Sequence, residues 1–152
     1  MEMIQNAQPF LAELFELDET AWLEAMAERI EQGLCNDLDY PHLQEYLSDM
    51  AKRDRREVES RLAVLIAHVL KWMHQPDRRS GSWHGTLIEQ RQELARLVRR
   101  GVLRNHAEAV LAECYAEAIE RAAAETKFPT STFPDECPYT LDQLLSADLL
   151  EE

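Results

Sequence analysis

The chain has 152 residues, 45% of them hydrophobic and 30% charged, with 29 acidic side chains against 16 basic ones and a formal net charge of −13. Those proportions exclude a fibrous or low-complexity chain and fit one soluble domain large enough to bury a core. Only four glycines are present while Ala, Leu, Glu, Gln and Arg abound, so a turn-rich all-β chain is excluded and helix is favoured.

Residues 1–17 read as an N-terminal lead-in. Asp18 stands where an N-cap belongs, ahead of an apolar face of Trp22, Leu23, Met26, Ala27 and Ile30, and Gly33 supplies a stop. Asn36, Asp37 and Asp39 mark a loop over 34–40, and Pro41 suits a helical first turn. Leu43, Tyr46, Leu47 and Met50 give that helix an apolar face. From Arg55 to Gln75 there is no Gly or Pro, and Val58, Leu62, Leu65, Ile66, Val69, Leu70 and Met73 cover about half of a helix circumference. This central helix is read as able to continue from the one starting near Pro41, with a kink around Lys52–Asp54, and Pro76 is expected to end it. Along its other side Glu57, Arg61, Val64, His68, Lys71 and Gln75 form one stripe at alternating spacings of four and three.

Ser80 or Ser82 is placed to cap the next helix, whose apolar face holds Trp83, Leu87, Leu94 and Leu97. Arg91 falls in the middle of that face, so the spacing predicts it buried and bonded to a carboxylate, with Glu57 and Glu89 the first suspects. Gly101 ends this helix, and Asn105 with Glu108 is read as a capping box for the one after. Ala107, Val110, Leu111, Cys114, Tyr115, Ala118, Ile119 and Ala122 form its packing face. From Phe128 the prolines Pro129, Pro134 and Pro138 imply an extended strap, in which Thr140 caps a short helix over Leu141–Leu145. The expected architecture is all-α: a single-domain helical bundle of about four principal helices over 18–127, closed by a strap over 128–152.

No apolar run approaches the roughly 18 residues of a membrane span, and no leader pattern opens the chain at Met1–Gln5. Cys35, Cys114 and Cys137 form no CxxC pair. Reduced thiols, a cytoplasmic location and no membrane partner are therefore expected. The charge is uneven. Residues 52–104 hold thirteen of the Lys and Arg against six acids, while both flanks are strongly acidic. Lys52–Arg56 and Arg96–Arg104 are the two stripes that nucleic-acid phosphate would use. The net acidity favours instead ion pairs to Glu24, Glu28 and Glu31 or to Glu113, Glu117 and Glu120.

Two groups of motifs carry a family likeness. The first is Leu70-Lys71-Trp72, Gln75-Pro76, Arg79-Ser80, Ser82-Trp83, Thr86-Leu87 and Glu89-Gln90-Arg91. The second is Phe133-Pro134, Cys137-Pro138-Tyr139-Thr140-Leu141 and Gln143-Leu144-Leu145. In this order they resemble the bacterial "domain of unknown function 29" family over about residues 15–150, with His84-Gly85 departing from its usual basic or polar pair. The resemblance implies a small helical single domain and brings no assigned activity.

Candidate chemistry therefore rests on the residues. Lys71, Trp72, Arg78, Arg79, Trp83 and Arg91 interleave bases with aromatics around a helix start, a pattern able to hold a phosphate or carboxylate. The competing reading makes Trp72 and Trp83 core and the arginines structural. Glu57, Arg61, His68 and Glu89 form a candidate polar network, structural or reactive. The histidines lack metal-ligand spacing, so no metal or cofactor is expected. No nucleophile motif occurs; Cys114 lies on an apolar face. The sequence favours a non-catalytic module binding an unknown protein partner or itself. A binder of a small anion or nucleotide phosphate through 71–91 is the alternative.

Overall fold

A computed structural model describes residues 2–150, with side chains from residue 10 onward; Met1 and residues 151–152 lie outside it. Among the described residues the fold is all-α, with no strand. Six α-helices follow one another: α1 Glu2–Leu17, α2 Glu19–Glu31, α3 Tyr40–His74, α4 Gly81–Leu97, α5 Val102–Thr126 and α6 Leu141–Leu145. By packing the chain divides into two compact units, Met1–Lys52 and Arg53–Glu152.

The N-terminal lead-in, for which the sequence reading named no element, is a helix, α1. Leu11 is fully buried there, while Leu14 and Phe15 pack on the same small core. Asp18 caps α2 as expected, accepting the Ala21 N–H at 3.0 Å. Gly33 follows in the left-handed region at φ 77°, the usual glycine stop. Among the described residues of this unit, Leu11, Trp22, Met26 and Leu38 are the buried apolar ones. A polar knot supplements them. The buried Asp39 carboxylate accepts from Trp22 Nε1 at 3.2 Å and meets His42 Nδ1 at 2.7 Å. The His42 ring stacks on Phe15, 4.2 Å between centroids, and Phe15 meets Trp22 edge-on at 4.9 Å.

In the larger unit, α3 supplies the centre of the core. Val58, Leu62, Ala63, Leu65, Ile66, Ala67, Val69, Leu70 and Trp72 are buried along it. The helix extends from Tyr40 as one element, continuous with the stretch from Pro41, and it ends at His74, before Pro76. Leu87, Leu94 and Val98 from the α4 segment, and Ala107, Val110, Cys114, Tyr115, Ala118 and Ala122 from α5, complete the cluster. Ser80 caps α4, accepting the Trp83 N–H at 3.1 Å. The expected cap of α5 at Asn105 is corrected: α5 starts at Val102, after Gly101 at φ 79°, with no side-chain cap. Glu108 pairs with Arg104 instead, 3.2 Å away. Glycine makes the earlier start accessible, because φ near +80° there would strain any other residue.

The strap over 128–150 lies on this core through Phe133, Leu141 and Leu144, all buried. The Tyr115 hydroxyl donates to the Pro134 carbonyl, and burial pushes that phenol up to about 12. Thr140 and Gln143 form a full capping box on α6. Between α5 and the strap, Lys127 turns the chain in the left-handed region at φ 63°.

Candidate functional site

The last turns of α3 place His68, Lys71 and Gln75 on one stripe, at spacings of three and four. Pro76 then breaks the helix and a short turn, Pro76–Arg78, leads to Arg79 and the Ser80 cap. The opening of α4 brings Ser82, Trp83 and Thr86 onto the facing wall, and the end of α5 adds Glu125. Together with Arg78 and Ser80 these groups line an open cleft of about 600 Å³, wholly within Arg53–Glu152.

Its charge is set by few groups. Lys71 Nζ lies 2.5 Å from Glu125 Oε2 and 5.2 Å from the centroid of the Trp83 ring. The Lys71 ammonium holds the Glu125 carboxyl below its usual range. Arg78 is exposed and makes no ion pair among the described residues. His68 Nδ1 faces the Val64 carbonyl at 2.8 Å, which fixes Nδ1 as the protonated nitrogen and leaves Nε2 without that proton in the neutral ring. Lys71 and Arg78 set two cations against the one Glu125 carboxylate, so the cleft is net positive. At the start of α4 the Trp83 N–H is held by Ser80 Oγ and the His84 N–H by the Ser80 carbonyl. The Thr86 hydroxyl donates back to the Ser82 carbonyl at 3.1 Å.

Three of the six candidate ligand residues, Lys71, Arg78 and Trp83, converge on this cleft; the other three do not line it. Trp72 is buried among Trp83, 5.9 Å away edge-on, and His84, stacked at 5.4 Å. Arg79 is a staple. Its guanidinium lies 4.8 Å from the Trp72 ring centre, and its Nε donates to the Trp72 carbonyl at 2.9 Å, satisfying one of the last backbone acceptors of α3. Arg91 corrects the expectation made for it. It is half-buried and forms no ion pair or hydrogen bond among the described residues. A long aliphatic stem can lie on apolar surface while its charged head reaches water, so a place on the greasy face did not require a partner.

The candidate polar network is divided. Glu57 and Arg61 pair at 3.0 Å and line a separate shallow groove of about 290 Å³ with Ser60, Val64 and Gln90. His68 belongs to the main cleft, while Glu89 is exposed and unpaired among the described residues. Sequence reasoning did not place Glu125 or Thr86 in the site. Thr86 follows Ser82 by one helical turn and was legible in principle. Glu125 lies 54 residues from Lys71 and had no local signal.

Of the basic stripes, Arg96 pairs with Glu93 at 2.9 Å, and Arg104 with Glu108 at 3.2 Å and Asp142 at 2.7 Å. Within Arg53–Glu152 the expected pairs to Glu113, Glu117 and Glu120 do not form among the described residues. Burial pushes the Cys114 thiol up to about 11, with nearby Glu117, Glu59 and Glu113 adding to the shift. Such a thiol is a poor nucleophile. No group of three His, Cys, Asp or Glu suited to a metal lies among the described residues, nor any helix long and apolar enough to cross a membrane.

A second surface stands out in the smaller unit. Phe10, Leu17, Ile30, Leu34, Tyr40 and Leu47 are large apolar side chains left exposed there; Val102 is the one counterpart among the described residues of the larger unit. Leu17 is 84% exposed and Leu47 59%.

No curated protein and no solved structure matches this chain. A family model does, over residues 14–150, described as "Domain of unknown function DUF29". The match spans both the cleft and the strap, and the chain belongs to that family of uncharacterised domains.

Proposed function

We propose that the protein is a non-catalytic interaction module that docks a basic, amphipathic helical segment of a protein partner on its Met1–Lys52 unit. The observation that carries this reading is the concentration of uncovered apolar side chains there: six of the seven large exposed ones among the described residues. Exposed apolar side chains of this size each gain about 1.5–3 kcal/mol on full burial, so a partner that covers several gains affinity. The same unit carries twelve acidic side chains against Arg29 and Lys52. A second copy would bring like charge to like charge, whereas a basic segment would meet opposite charge and be steered to it. A cationic amphipathic helix supplies both halves of this recognition, an apolar stripe and a positive rim.

The test is a titration of the protein with two short helical peptides sharing one apolar face, one flanked by Lys and the other by Glu. The Lys peptide is expected to bind, with affinity falling as salt rises, and the Glu peptide not to bind. Leu17→Glu combined with Leu47→Glu, both at exposed positions, is expected to abolish the binding without unfolding the chain. Equal binding of the two peptides, or binding unaffected by the double substitution, overturns the reading. Sedimentation showing a dimer that the same substitutions dissociate would replace the foreign partner by a second copy.

A further inference from the structure

We infer that the cleft between the end of α3, the start of α4 and the end of α5 is a binding site for a small phosphate monoester with a flat or apolar body. The site lies within Arg53–Glu152 and does not depend on the docking proposed for the other unit.

The inference rests on what converges from separate parts of the chain. Lys71 comes from α3, Arg78 from the turn after it, and Ser82 and Thr86 from the first turns of α4. Three of the four bring donors of different geometry, an ammonium, a guanidinium fork and the Ser82 hydroxyl, while Thr86, whose hydroxyl donates to the Ser82 carbonyl, lines the wall beside them. A carboxylate is planar and has two oxygens to satisfy. A phosphate monoester presents three terminal oxygens in a tetrahedral array, which suits donors on several walls. The α4 N-terminus adds a favourable field, secondary to the side chains. Arg78 is the telling member. It is exposed beside the cleft with no internal carboxylate, so its charge is available.

The volume points to more than the anion alone. About 600 Å³ exceeds what a bare phosphate fills and lies in the range of small-molecule sites. Trp83 supplies an aromatic wall next to Lys71. Its indole N–H is buried and has no acceptor among the described residues.

Glu125 opposes an anion and makes the proposal sharp. Its carboxylate also lines the cleft, already engaged by Lys71 at 2.5 Å. An entering phosphate must share Lys71 with Glu125 or displace it. Removing that negative charge should therefore strengthen phosphate binding, the opposite of what a site for a cation would show.

The probe is phenyl phosphate, titrated against the full chain by NMR and by tryptophan fluorescence, with phenol and inorganic phosphate as controls. Phenyl phosphate is expected to bind more tightly than inorganic phosphate, and phenol not measurably, with shifts at Trp83 and Thr86. Arg78→Ala, at an exposed unpaired position, should weaken phenyl phosphate about tenfold, the usual size of a lost charged hydrogen bond. Glu125→Gln should tighten it several-fold while leaving the fold intact. Lys71→Ala should weaken it, provided its spectrum shows a folded protein. Equal binding of phenol and phenyl phosphate overturns the inference, as does indifference to Arg78→Ala. Weaker binding in a folded Glu125→Gln variant overturns it as well.

Discussion

The two units of the chain solve the same problem differently. Arg53–Glu152 buries twenty-one hydrophobic side chains in one cluster. Among its described residues Met1–Lys52 buries four, and supplements them with the Trp22–Asp39–His42 knot and the stacked Phe15 ring. A large core spreads its stability over many interchangeable contacts, whereas a small one concentrates it in a few that cannot be spared. The contrast also explains where apolar surface remains uncovered. A short unit has too little interior to hide all its large side chains.

The comparison breaks if the units do not respond separately. Trp22→Ala deletes a fully buried ring and the donor to Asp39 together, and should cost about 3–5 kcal/mol. Hydrogen exchange should then accelerate through α1 and α2 while α5 keeps its protection; equal loss in α5 would mean one cooperative body. Leu62→Ala is the reverse experiment, at a fully buried position of the larger core, with an expected cost of about 2–5 kcal/mol. It should lower protection in α5 and leave α2 unchanged.

A smaller effect sharpens the electrostatic side. The Glu125 carboxyl is lowered in the folded protein by Lys71, so this pair contributes stability above the ordinary glutamate value of 4.5. That contribution is lost as pH falls through the lower, folded value. Glu125 is well exposed, so the pair is worth under about 1 kcal/mol. Lys71→Met should remove that increment at neutral pH and flatten the acid limb of the stability curve, as read by urea melts across pH. The smallest effect is chemical. Cys35 is exposed in the smaller unit, whereas Cys114 is buried in the larger one with its pKa near 11. A thiol reagent at neutral pH should label Cys35 first, and Cys114 only when the larger unit opens.

Much of the fold was legible where local chemistry decides it. Asp18, Ser80, Thr140 with Gln143, Gly33 and Pro76 all act where their side chains or backbones predict. The unbroken core stripe of α3 also reads directly from its spacing. The failures were of another kind. Residues 1–17 carried no start signal strong enough to separate helix from lead-in, although Leu11, Leu14 and Phe15 had helical spacing. Asn105 looked like a cap because its side chain can be one, but Gly101 could adopt φ 79° four residues earlier. At the site, the interleaved bases and aromatics were visible, and half of them converge. Which half depended on where each backbone turn aimed its side chain: Arg79 back onto the end of α3, Arg78 toward the cleft. Glu125 entered through tertiary packing alone.

The left-handed turn at Lys127 has one more consequence. It stands exposed at the junction where α5 stops and the strap begins, so a protease that cuts after lysine finds its target bond there. A nick at that bond would release no fragment at once. It would turn the segment from Phe128 onward from one tethered to α5 into one held by Phe133, Leu141, Leu144 and the Tyr115 hydroxyl. Its occupancy would then depend on concentration, because the effective molarity conferred by the chain would be gone. The closing segment of this domain is thus already built as a ligand of its own core.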